Sequence, residues 1–70
     1  MSAEIEITVN GEAHALPSPM NVAALLEHLG VRESRVAVEL DREIVPKAAY
    51  GETQVGPGAK VEIVSFVGGG

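Results

Sequence analysis

Two alternating hairpin patterns, one on each side of a single amphipathic stripe, and a closing β-branched run predict an α+β domain. In that order they predict the β-grasp arrangement: a mixed sheet of about five strands with one main helix packed on one face. The first hairpin opens with Glu4 to Val9, where Ile5, Ile7 and Val9 share one face and Glu4, Glu6 and Thr8 the other. Asn10-Gly11 follows, a dipeptide that tolerates the two positive φ angles of a type I′ turn, so Glu12 to Leu16 returns antiparallel. A two-residue loop then sets Ile7 opposite His14 and Ile5 opposite Leu16.

Pro17-Ser18-Pro19 breaks the pattern, and Val22, Leu25, Leu26 and Leu29 fall at i, i+3, i+4 and i+7, the stripe of a short helix. Asn21 stands at its N-cap. Gly30 can take the left-handed position that ends it near Leu29, with Val31 as the apolar contact beyond. Val36, Val38 and Leu40 alternate again, Asp41-Arg42 reads as a tight turn, and Glu43-Ile44-Val45 is a return strand that Pro46 confines to an edge. Lys47 to Gln54 has no period and is expected to hold a helical turn. Val55-Gly56-Pro57-Gly58 turns the chain into Lys60 to Val67, the last strand, placed centrally and parallel to the first. Its run nearly reads as that of a strand buried on both faces, interrupted by Glu62 and Ser65. Val61, Ile63 and Ser65 share one side, and Glu62, Val64 and Phe66 the other.

Seventy residues with an apolar fraction of 46% suffice for one small core and leave no room for a second, catalytic domain. The division is a β-grasp domain over 1–67 and a flexible glycine tail over 68–70. Ten acids against five bases give a net charge of −5, which disfavours nucleic acid and anionic membranes as partners. The absence of cysteine removes disulfides, thiolate metal sites and a thiol nucleophile. No basic, apolar leader or membrane-length run is present, so a cytoplasmic protein, monomeric when free, is expected.

Few residues carry chemistry. His14 on a strand and His28 near the helix end have no carboxylate or further histidine at metal spacing, so both read as structural and no metal site is expected. The lone aspartate, Asp41, lies in a turn, and no serine sits on a nucleophile elbow; no catalytic residue is expected. Gly68, Gly69 and Gly70 follow a strand, not a helix start, which removes a phosphate loop. What they form is a thin tail whose functional group is the Gly70 carboxylate. Such a tail enters a narrow channel that any Cβ would block, and ordering it costs about 1–2 kcal/mol per residue. A separate apolar surface must therefore supply affinity, and Val64, Phe66 and Val67 are its candidates.

The stretch from Val36 through Ile44-Val45-Pro46-Lys47, then Tyr50, then Gly58 to Val64, ending in Phe66-Val67-Gly68-Gly69-Gly70, resembles the ThiS family of ubiquitin-like sulfur carriers. The Asn10-Gly11 turn and the Val22 to Leu26 helix opening extend the likeness over nearly the whole chain. Three positions depart from the family's habit. Asp41-Arg42 replaces a frequent Asn-Gly, Tyr50 a common tryptophan, and Pro57-Gly58-Ala59 the usual Asp-Gly-Asp type of turn.

The resemblance implies a protein cosubstrate, not an enzyme, that acts in making the thiazole ring of thiamine. In such carriers the terminal glycine carboxylate, here Gly70, is adenylated by a ThiF-like enzyme that uses ATP and Mg²⁺, and a sulfur donor protein then converts it to a thiocarboxylate. A ThiG-like thiazole synthase receives the sulfur. The carrier itself binds no cofactor. Gly69 and Gly68 match the slim residues before the terminus, and docking falls to Val64, Phe66 and Val67. A MoaD-like carrier for molybdopterin synthesis is the nearest alternative; that family is longer after the helix and has a proline before its diglycine, which Phe66-Val67-Gly68 lacks. A modifier joined to lysines, another ubiquitin-like sulfur carrier, and a plain β-grasp binding module remain open beside it.

Overall fold

The computed structural model describes residues 4–65. Strands β1 (Ile5–Val9) and β2 (Glu12–Leu16) form the first hairpin, in the register Ile5 with Leu16 and Ile7 with His14. Asn10 and Gly11 carry φ angles of 51° and 84°, the left-handed pair that a type I′ turn requires. A two-residue strand β3 (Met20–Asn21) leads into helix α1 (Val22–Leu29). Strands β4 (Val36–Leu40) and β5 (Glu43–Val45) make the second hairpin. After a single 3-10 turn over Lys47–Ala49 come β6 (Gln54–Val55) and the last strand, β7 (Lys60–Ser65).

The main sheet has five strands in the order β2-β1-β7-β4-β5. β7 lies at its centre, parallel to β1 and antiparallel to β4, as the crossover through a helix demands. β3 and β6 pair separately as a two-stranded antiparallel ladder, which no periodicity in the sequence announces.

Both ends of α1 are closed by local chemistry. The Asn21 side chain accepts a hydrogen bond from the Ala24 amide at 2.7 Å, satisfying one of the orphan donors of the first turn. At the other end Gly30 sits at φ 75°, its N–H donating to Glu27 at 3.0 Å while Val31 N–H donates to Leu26 at 2.9 Å. Those two bonds are the Schellman pair.

Val22, Leu25 and Leu26 of the helix are buried in one cluster with Ile5, Ile7, Val36, Val38 and Val61 of the sheet. Leu16, Leu25, Leu26 and Val55 are wholly buried. Each such side chain contributes about 1.5–3 kcal/mol of transfer free energy, which offsets the chain entropy that a domain this small must overcome. Tyr50 is buried with them, and no buried side-chain polar atom among the described residues lacks a partner.

β7 is buried on one face only: Val61 belongs to the core cluster, while Glu62, which interrupts the apolar run, and Val64 stand in solvent on the side expected to dock a partner. One helix can cover one face of a sheet, and among the described residues no second layer lies over the opposite face. The expected boundary between domain and tail, at 67 and 68, lies outside the described residues.

Candidate functional site

The strand alternation sorts the sheet into a covered and an open face. The open face carries Glu6 and Thr8 from β1, Lys60, Glu62 and Val64 from β7, Ala37 and Glu39 from β4, and Ile44 from β5. Register arranges them in rows. Glu39 is opposite Glu62 on one side and opposite Ile44 on the other, and Ala37 is opposite Val64 in the next row. Among the described residues, Ile44 and Val64 are the large apolar side chains left in solvent, 76% and 59% exposed.

Of the residues that the sequence singles out for docking, the structure places Val64 on this open face. Phe66 and Val67, and the tail residues Gly68, Gly69 and Gly70, lie outside the described residues. Sequence reading leaves Ile44 without a role, although the alternation Glu43-Ile44-Val45 against a buried Val45 carried the signal that Ile44 points the other way. It also misses the in-register Glu39 and Glu62, because two acids 23 positions apart in the chain meet only once the register is known.

Two bracing contacts hold β7 in place beneath this face. Asp41 N–H donates to the Lys60 carbonyl at 2.8 Å, and its carboxylate accepts from the Lys60 amide at 3.0 Å. On the β1 side the Asn10 carboxamide bonds Ile63. The β4–β5 turn reaches φ 50° at Asp41 and 73° at Arg42, left-handed values held by two residues that bear side chains.

The other chemical candidates remain separate. His14 is half-buried on β2 beside Ile7, and His28 is exposed in the last helical turn. No group of three metal-ligating side chains occurs among the described residues. An open depression of about 460 Å³ beside α1 is lined by Ala23, Ala24, Glu27, Val31 and Glu33, which offer no nucleophile. The phenol of Tyr50 is raised above the ordinary tyrosine value, first by burial and then by the Glu33 carboxylate, while a hydrogen bond with the Val38 backbone acts the other way. No helix among the described residues is long and apolar enough to cross a membrane.

Residues 3–70 match the model of the ThiS family. A thiazole synthase of Paramagnetospirillum magneticum is 47% identical over 94% of this chain, and the chain spans only 20% of that relative's length. The ycf40 protein of Porphyra purpurea is 31% identical over the whole of this chain and 99% of its own. Among solved structures, the crystal structure of the thiamine biosynthesis protein ThiS from Geobacter metallireducens superposes with a TM-score of 0.83 at 36% identity, covering 94% of this chain and all of that one. That neighbour shares the fold argued above from the strand order and the helix, and with the match over residues 3–70 it leads to one conclusion: the chain belongs to the ThiS family.

Proposed function

We propose that this protein is a sulfur carrier for thiamine biosynthesis, carrying sulfur as a thiocarboxylate on Gly70. The observation that supports the reading most is a family match that runs from residue 3 through Gly70 and so includes the three terminal glycines. The chemistry assigns each participant a task. A carboxylate is a poor electrophile with a poor leaving group, so the Gly70 oxygen must first attack the α-phosphorus of ATP on a ThiF-like enzyme, expelling pyrophosphate. The terminal sulfur of a donor protein's persulfide then attacks the acyl-adenylate carbonyl and expels AMP, and a second thiol cleaves the S–S bond of the resulting acyl disulfide, taking the donor sulfur into a disulfide and leaving a soft, anionic thiocarboxylate. ATP and Mg²⁺ act in the activating enzyme. Gly68 and Gly69 supply the slim approach, and Val64, Phe66 and Val67 the docking surface.

The acceptor is a ThiG-like thiazole synthase. Supporting this is the Paramagnetospirillum relative, a thiazole synthase of which a segment like this chain makes up about a fifth. The carrier is consumed and regenerated, so it is a cosubstrate and not a catalyst, and it works in the cytoplasm beside those enzymes.

Intact-mass measurement after incubation with MgATP, a ThiF-like enzyme and a sulfur source tests the reading, with a variant lacking Gly70 as control. One oxygen replaced by sulfur, absent in the control, is the expected result. An unchanged mass beside an active enzyme overturns it.

A further inference from the structure

The first hairpin turn exposes a reactive pair to water. Asparagine is among the thermolabile residues, and Asn10 is exposed and followed by Gly11, which has no side chain to obstruct its nitrogen. In such a pair the Gly11 nitrogen can attack the Asn10 carboxamide carbon. A C–N bond closes a five-membered succinimide, the bond to Nδ2 breaks, and ammonia leaves with the proton from Gly11. Water then opens the ring at either carbonyl, giving aspartate, or isoaspartate with the backbone running through the former side chain. The chain's other asparagine, Asn21, precedes Val22, whose branched side chain crowds the same attack.

The folded chain opposes the first step. Oδ1 of Asn10 accepts from the Ile63 N–H at 2.8 Å and Nδ2 donates to the Ile63 carbonyl at 3.2 Å, while the Asn10 N–H donates to the Val61 carbonyl at 2.8 Å. To meet the Gly11 nitrogen, the carboxamide must release β7 and turn back upon its own backbone. Either product then closes badly. Aspartate still accepts from the Ile63 N–H but sets a second carboxylate oxygen, with no proton to give, against the Ile63 carbonyl. Isoaspartate adds a backbone atom to the two-residue turn that sets Ile7 opposite His14. We propose that Asn10 is a deamidation site governed by β7: pairing with Ile63 shields it, chain in which β7 is open converts, and converted chain closes less firmly. The damage reinforces itself, and it falls on the strand that precedes the C-terminal glycines. The inference goes beyond the carrier reading and needs only the turn and the ladder, so it stands whether or not the chain carries sulfur.

Incubation of the whole chain in mildly alkaline buffer, native and across a guanidinium chloride series, tests it, with peptide mass mapping that separates asparagine, aspartate and isoaspartate at position 10. Conversion should be at least about tenfold slower in the native chain than in the denatured one. Below the unfolding midpoint it should rise in step with hydrogen exchange of the Ile63 amide. Asn10→Gly, which keeps the positive φ, should abolish the mass gain of acid over amide. Asn10→Asp should lower the denaturation midpoint and speed exchange at Ile63. Equal rates in native and denatured chain overturn the proposal, as does a mass gain that persists in Asn10→Gly or maps to Asn21. Conversion that stays flat while Ile63 exchange rises assigns the shielding to the turn alone and overturns the part given to β7. An unchanged midpoint and exchange rate in Asn10→Asp overturn the reinforcement.

Discussion

The carboxamide of Asn10 hydrogen-bonds both backbone groups of Ile63, 53 positions away: the Ile63 N–H donates to Oδ1 at 2.8 Å, and Nδ2 donates to the Ile63 carbonyl at 3.2 Å. β1 pairs with β7 only at Thr8 and Val9 before it turns away. Asn10 N–H adds a bond to Val61 at 2.8 Å, and its side chain then stands in for the strand residue that is missing. One residue thus forms half of a tight turn and extends a parallel ladder.

Replacing Asn10 by glycine keeps the positive φ and removes the carboxamide. Two hydrogen bonds are lost at a partly solvated site, so unfolding by denaturant should show a loss of about 1–2 kcal/mol. The Ile63 amide should exchange with solvent faster than that of Val61, whose ladder partner remains. An unaltered Ile63 exchange rate would show the side chain to be idle.

The second hairpin turn offers a stabilising change. Arg42 holds φ 73° with a side chain in place, which costs about 1–2 kcal/mol relative to a right-handed residue. Arg42→Gly should therefore raise the free energy of unfolding by about 1 kcal/mol, after the extra entropy of glycine in the unfolded chain is deducted. Asp41→Gly should gain nothing, because it also removes the acceptor of the Lys60 amide. Equilibrium unfolding of the two variants side by side separates these outcomes.

Leu25 is wholly buried at the centre of the helix stripe. Leu25→Ala should cost about 2–5 kcal/mol, a large share of the roughly 4–10 kcal/mol available to a domain of this length. The thermal midpoint should drop by more than about 10 °C. A smaller drop would mean that the core collapses around the missing atoms.

Tyr50 makes stability depend on alkaline pH. Its phenol titrates above the ordinary value of 10.0 in the folded chain, so the folded state holds its proton more tightly than the unfolded state does. The contribution is complete below that ordinary value and is lost as pH rises through the folded one. Denaturant midpoints measured across that range should fall with pH. Tyr50→Phe should flatten that fall, at some cost in absolute stability from the lost bond to Val38. Since Tyr50 is the chain's one tyrosine, its phenolate absorbance reports the same titration directly.

Much of this architecture was legible because each element carries its own local signal. Asn10-Gly11 fixed both turn and register, and Asn21, Gly30 and Val31 marked the helix ends to the residue. β3 and β6 escaped because two residues are too few to show a period; Met20 and Asn21 pair with Val55 and Gln54 only after α1 is in position. The apolar run of β7 approached that of a strand covered on both faces, and only the interruption at Glu62 told which side stays open. Composition cannot distinguish an apolar residue awaiting a second layer from one awaiting a partner. Of the candidate site, the exposed place of Val64 was readable from the alternation, the glycine tail lies outside the described residues, and the Ile44, Glu39, Glu62 row depends on register between β4, β5 and β7.

The central position of β7 has a consequence for how the molecule comes into being. Without Lys60–Ser65 the two hairpins have no strand between them, and the inner edges of β1 and β4 are left unpaired. A chain synthesised only as far as β6 therefore presents two hairpins with open edges, a form prone to adhere to other chains. Closure waits for β7 and must bring together partners as distant as Thr8 and Lys60. The two hairpins become one sheet only when β7 pairs with both.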